Sequence, residues 1–147
     1  MSREYPDRPV VGVGAVVWRG QRVLLIRRGK PPRAGQWSLP GGGQQLGETL
    51  REAITREVRE ETGLELADLR LLTTVDLVER DTDGRVRYHY TLVDFTAEAA
   101  DGEPVAGDDA AAVAWFEPDE LPELGLWSET LRIVGEAAAL RRTTLPG

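Results

Sequence analysis

Glu57, Glu60 and Glu61 stand in the run Arg56-Glu57-Val58-Arg59-Glu60-Glu61-Thr62-Gly63-Leu64. On a helix, spacings of three and four put these carboxylates along one side, with neighbouring Cβ atoms about 5–6 Å apart. Like charges so placed destabilise a helix by about 0.2–0.5 kcal/mol per pair, and Arg56 and Arg59 offset only part of that. A hard divalent cation removes the conflict. Mg²⁺ in particular combines a few carboxylates with waters and substrate phosphates. An acidic helix face is more often simply solvated, so the glutamates alone do not decide the matter.

The elements that must position them are legible from periodicity. Thr49 with Glu52 three residues on forms a capping-box signature, Leu50, Ala53, Ile54 and Val58 recur at helical steps, and Gly63 supplies the stop. The segment before this helix, residues 27–47, carries three prolines and six glycines and reads as a long structured loop. Ahead of it, residues 10–18 and 23–26 read as two strands joined at Arg19-Gly20-Gln21. Residues 69–79 and 85–97 predict a second hairpin, its turn at Arg80-Asp81-Thr82-Asp83-Gly84. An acidic loop over 100–109 then leads to a strand over 111–116, a helical turn over 118–121 and a last helix from Ser128 to about Arg141. The chain reads as one mixed α/β domain over 1–147, with short flexible tails at about 1–8 and 143–147.

Composition narrows the function. The 147 residues suffice for one core without staples, and there is no cysteine, which removes thiolate nucleophiles, disulfides and cysteine-held metals. A cysteine-free chain fits a reducing, cytoplasmic location. A single histidine, His89, makes a catalytic zinc site improbable. Net charge is −7, with Lys30 the single lysine, so the chain is a poor partner for nucleic acid or anionic membrane. Phosphate handling must be local. The apolar run 10–18 is about half a membrane span, and no leader or spanning helix is read.

The full pattern is Gly42, five residues, Glu48, seven residues, then Arg56-Glu57-Val58-Arg59-Glu60-Glu61-Thr62-Gly63-Leu64. This segment resembles the Nudix box and matches its specified positions, Val58 and Leu64 included. With average residue usage, such a match has a chance probability on the order of 10⁻⁹ per start position. The resemblance implies a Nudix fold, an α/β/α sandwich around a mixed sheet with a catalytic loop–helix–loop. It also implies Mg²⁺-dependent cleavage of nucleoside diphosphates linked to another group, with Mn²⁺ as a substitute metal. Carried over by position, Glu57, Glu60, Glu61 and the carbonyl of Gly41 are the metal ligands. Arg56 orients the glutamates and Glu48 anchors the loop. Glu60 is the first choice for the base, with Glu79, Asp108 and Asp109 as candidates outside the box.

The lead-in Gly35-Gln36-Trp37-Ser38-Leu39-Pro40-Gly41-Gly42 is similar to that of Nudix enzymes acting on ADP-ribose and nucleotides. It favours an ADP-ribose-like substrate, a dinucleotide or a sugar nucleotide. Cleavage of canonical or oxidised nucleoside triphosphates, or a non-catalytic ligand-sensing domain, are the alternatives. Arg27 and Arg28 end a strand near this loop, and an arginine fork suits phosphate. Arg85, Arg87 and His89 alternate along the second hairpin and share one face, opposite Val86, Tyr88, Tyr90 and Leu92. That basic face and Trp37 are the expected substrate contacts. By family analogy two copies pair, with Trp115 or Trp127 as exposed apolar candidates.

Overall fold

Two residue pairs, Trp18 with Val23 and Arg19 with Arg22, close the first hairpin around Gly20, and beyond them its arms part. The computed structural model of the chain describes residues 3–30, 33–107 and 109–144. The arms are β1 (Val10–Arg19) and β2 (Arg22–Arg28). β4 (Gly41–Gly43) lies along the first half of β1, antiparallel, pairing Gly43 with Gly12 and Gly41 with Gly14. β2 turns instead to β3 (Trp37–Ser38) and β7 (Ala110–Phe116). On its other edge β1 runs parallel to β6 (Val86–Ala99), which pairs antiparallel with β5 (Leu66–Arg80). The result is one mixed seven-stranded sheet. Helix α1 (Leu50–Thr62) covers one face, and a 3-10 helix (Pro118–Leu124) with α2 (Ser128–Thr144) covers the other, which is the expected α/β/α sandwich.

The near-continuous apolar run of β1 follows from being covered on both faces. Val13, Ala15 and Val17 pack with Ile54 and Val58 of α1, while Val16 and Trp18 pack with Ile133 and Val134 of α2. The capping box of α1 is complete: the Glu52 N–H donates to Thr49 Oγ1 and the Thr49 N–H donates to Glu52 Oε1. At the other end Gly63 takes φ 74°, which an L side chain adopts only with strain. The carbonyls of Glu61 and Thr62 accept from the Gly107 and Val105 N–H groups at 3.0 and 2.8 Å. The acidic loop over 100–109 is therefore the C-terminal cap of the helix that carries the glutamates.

The structure departs from the sequence reading at several edges. The stretch read as a loop over 27–47 contains β3 and β4, which are too short and glycine-rich to show a strand period. The turn over 118–121 continues to Leu124. α2 continues to Thr144, past the expected start of a tail, because Arg141 forks onto Glu98 at 2.8 and 2.9 Å and lies 4.8 Å from the Trp18 ring. The expected N-terminal tail is a strap in its described part. The Tyr5 N–H donates to Arg87 O at 2.7 Å, the Tyr5 hydroxyl to Asp81 at 2.9 Å, and Glu4 pairs with Arg87. Residues 1, 2 and 145–147 of the tails lie outside the described residues. No described helix is long and apolar enough to cross a membrane.

Gly107 has no room for a side chain: a Cβ there would sit 2.1 Å from the Glu60 carbonyl oxygen. Gly107→Ala should therefore push the loop off α1 and cost about 1–3 kcal/mol of stability in urea unfolding. An unchanged midpoint would show that the loop does not hold the helix end.

Candidate active site

Arg56 ties the glycine loop to the helix. Its Nε and Nη2 fork onto Glu48 at 2.6 and 3.0 Å, Nη2 also donates to the Gly43 carbonyl at 2.9 Å, and Nη1 reaches Glu57 at 2.9 Å and Glu60 at 3.2 Å. Glu48 turns back to accept from the Gln45 N–H at 2.8 Å. The fork from Arg56, helped by that N–H, holds the Glu48 carboxyl below its usual range. Glu48 in turn fixes the guanidinium more firmly in its charged form.

Of the two inner glutamates, Glu61 is held by backbone and Glu57 by Arg56. The Gly41 N–H donates to Glu61 Oε1 at 2.7 Å. The Glu57 carboxylate lies under Gly42, where an added Cβ would come within 2.4–2.5 Å of it. That close approach explains a glycine at position 42. Burial pushes Glu61 up to about 8, against the pull of the Gly41 N–H, with Glu57 adding to the rise. Burial also raises Glu57, although Arg56 opposes it. Neighbouring carboxylates that resist ionisation are short of positive charge, and that deficit suits a hard divalent cation. Among the described residues no three acidic or histidine side chains are already closed into a cage. Arg56 Nη1 holds both Glu57 and Glu60, so a cation would compete with it for them.

A cavity of about 760 Å³ runs from Glu57, Glu60 and Glu61 across the sheet to Thr130 and Ile133 of α2. Arg28, Trp37 and Arg87, three of the expected substrate contacts, line it. Arg27 and Arg85 do not. Arg27 follows Ile26 and precedes Arg28 on β2, so it faces away from them, with its guanidinium 5.7 Å from the Trp37 ring centre, while Arg85 lies before the start of β6 and covers Tyr5 at 4.3 Å. Nor is the basic face the wall: Tyr88, Tyr90 and Leu92 of β6 line the cavity beside Arg87, and His89 does not. Trp37 also packs edge-on against Phe116 at 5.0 Å, so it serves core and cavity together. Of the outlying base candidates, Glu79 and Asp109 reach the cavity, paired to Arg33 at 3.5 Å and Lys30 at 2.7 Å. Asp108 lies outside the described residues. Of the tryptophans expected at a dimer face, Trp127 is exposed at the cavity wall and Trp115 is half-buried beneath Arg19 at 5.0 Å.

The sequence reading passes over Gly12, Gly14 and Asp94, which form part of the cavity. Their signals are present: glycine inside a strand marks close approach, and an acid in Leu92-Val93-Asp94-Phe95 marks a buried charge.

The comparisons agree with this geometry. The family profile described as NUDIX domain matches residues 8–134. The chain belongs to the Nudix family, and its fold and intact box make it a Nudix hydrolase. It is 36% identical over 123 residues to an ADP-ribose pyrophosphatase of Methanocaldococcus jannaschii, covering 84% of this chain and 70% of that protein. It is 40% identical over 118 residues to a putative 8-oxo-dGTP diphosphatase 2 of Mycobacterium tuberculosis, covering 78% and 77%. The NUDIX domain of Shewanella oneidensis NrtR, solved as a complex with ADP ribose, superposes with a TM-score of 0.75 at 25% identity over 94% of this chain and 90% of that one.

The buried acids set a pH dependence. Glu61 and Asp94 have folded values raised to about 8 and about 6, so the stability tied to their protonated forms is complete below about pH 4 and lost as pH rises through those values. In chelator, the melting temperature should fall between pH 5 and 8.5, and Mg²⁺ should flatten the slope by favouring ionised carboxylates. A melting temperature that rises across that window contradicts the burial argument.

Proposed function

We propose that the chain is a Mg²⁺-dependent pyrophosphohydrolase that cleaves the phosphoanhydride of a nucleoside diphosphate joined to a second group. ADP-ribose is the first candidate, with dinucleotides and sugar nucleotides in the same class. The observation that carries this reading is the placement of Glu57 and Glu61 against Gly41 and Gly42, at one end of a cavity whose other walls are aromatic and apolar. One end suits a metal and phosphates, and the other suits the remainder of a nucleotide. Similarity to the archaeal ADP-ribose pyrophosphatase, and to the Shewanella domain holding ADP ribose, supports the substrate class.

Glu57, Glu60, Glu61 and the Gly41 carbonyl would hold Mg²⁺, or Mn²⁺ in its place. Bound divalent cations neutralise the pyrophosphate oxygens and lower the pKa of water. Arg56 keeps the glutamates aligned, with Glu48 fixing Arg56 in turn. Glu60 takes the proton from the attacking water, being the least buried of the three, with 45% of its side chain exposed against 15% for Glu57. Arg28 and Arg87, both on the cavity wall, bind phosphate oxygens. A second reading, hydrolysis of oxidised or canonical triphosphates to monophosphate and pyrophosphate, is supported by the identity with the mycobacterial protein. A non-catalytic sensor is disfavoured by the intact box and its complete Arg56 network.

Phosphate release, with a phosphatase coupled in, across ADP-ribose, dinucleotides, sugar nucleotides and triphosphates separates these readings. AMP and ribose 5-phosphate from ADP-ribose, lost in chelator, is the expected result. Pyrophosphate from triphosphates with ADP-ribose untouched moves the assignment to the second reading. Glu61→Gln keeps the shape and removes a ligand charge, so turnover should drop more than about 100-fold, beyond the loss typical of a metal's outer partners. The fold should persist, and near-normal turnover in this variant would sink the metal assignment.

A further inference from the structure

Asp94 sits in the middle of β6 with 5% of its surface exposed, and its Oδ2 is buried without a hydrogen-bond partner. The charged group acting on it is Arg132 of α2, which attracts it without contact. Native proteins match buried acceptors almost without exception, so an unmatched one asks for an explanation. Gly14 makes the arrangement feasible, because a Cβ on Gly14 would lie 2.7 Å from Asp94 Oδ1. Tyr90, Leu92, Trp37, Leu39 and Ile133 line the same cavity and make much of its wall apolar or aromatic. Asp94 pairs with Gly14, and Gly14 with Gly41, so two strand spacings, about 10 Å, separate it from the residue whose N–H holds Glu61.

We propose that Asp94 is the specificity-determining residue of this cavity and takes hydrogen bonds from the N–H-bearing edge of a purine base, an inference that rests on the cavity holding a nucleotide. Phosphates are excluded at this position by charge, and the metal-facing glutamates already occupy the opposite end. A flat base fits between aromatic and apolar walls, and its amino group supplies the donor that Oδ2 lacks. An ionised carboxylate matches the two donors of a guanine edge, N1–H and the 2-amino group. A protonated one matches adenine, accepting from the 6-amino group and donating to N1. Burial lifts Asp94 to about 6, which keeps both forms within reach near neutrality.

Equilibrium binding in chelator, where no turnover occurs, tests this with AMP, GMP, purine riboside 5′-monophosphate, which has no amino group, and ribose 5-phosphate. The native chain should bind AMP or GMP at least tenfold more tightly than purine riboside monophosphate. The preferred one identifies the base. Asp94→Ala should erase that preference and leave ribose 5-phosphate unaffected. Asp94→Asn should erase a guanine preference and retain an adenine one, because an amide can still match adenine. Its melting temperature should equal or exceed that of the native chain, since an unpaired buried charge is removed. Equal binding of all three purine monophosphates, no saturable binding of AMP or GMP, a preference that survives Asp94→Ala, or a lower melting temperature for Asp94→Asn would each overturn the proposal. A substrate panel that shows hydrolysis while the preference survives Asp94→Ala sinks only this inference. A silent panel with the preference intact sinks only the proposed activity.

Discussion

The guanidinium of Arg56 is the point on which the site depends. A helix that carries three acids along one side repels itself, and the nearest relief is a cation fixed among them. Arg56 supplies it while spending its remaining donors on Glu48 and the Gly43 carbonyl. The same group therefore sets the glycine loop against the helix and restrains the glutamates. A lysine could not do this, because a single ammonium has no rigid fork to reach loop, backbone and two further carboxylates at once. The packing beneath is consistent with that demand, since Ala53, Ile54 and Val58 hold α1 against β1 and Phe95 and leave the acidic side turned to the loop.

The second constraint is the parting of β1 and β2. A hairpin that paired along its full length would leave no edge for Gly41–Gly43. By separating after two pairs, the sheet admits a strand made only of glycine, whose bare backbone lets Gly41 reach Glu61 and Glu57 fit under Gly42. The freed end of β2 is taken up by β3, while β7 pairs along the other edge of β2. Glycine-to-glycine pairing also clears the opposite face of the sheet, where the cavity lies.

How much of this was legible in the sequence depended on the range of the interactions. The cap at Thr49, the stop at Gly63 and the acid spacing of α1 are local, and the sequence reading places them correctly. The roles of Gly107 and Val105 as partners of the helix end were not legible, because a loop that caps a distant carbonyl has no period of its own. β4 was missed for a related reason: three glycines have no side-chain alternation to display. Which face of β6 met the cavity depended on where α2 packs, so His89 fell away from it and Tyr90 and Leu92 faced it, while Arg87 reaches it near the start of the strand. Asp94 was visible as an acid among apolar residues, yet its burial emerged only once Gly14 and α2 were placed around it.

The parallel pairing of β1 with β6 also bears on how the chain reaches its native state. Val10 meets Tyr90 and Trp18 meets Glu98, so the central strand waits for a partner about eighty residues further along. During synthesis β1 has only a two-pair hairpin and a glycine strand with which to associate, and neither covers its valines. The edge of β1 thus stays unpaired until β6 arrives, and long-range closure of this kind is slow. The glycine loop and the far half of the sheet meet on one strand, because the strand that carries Gly12 and Gly14 pairs with both.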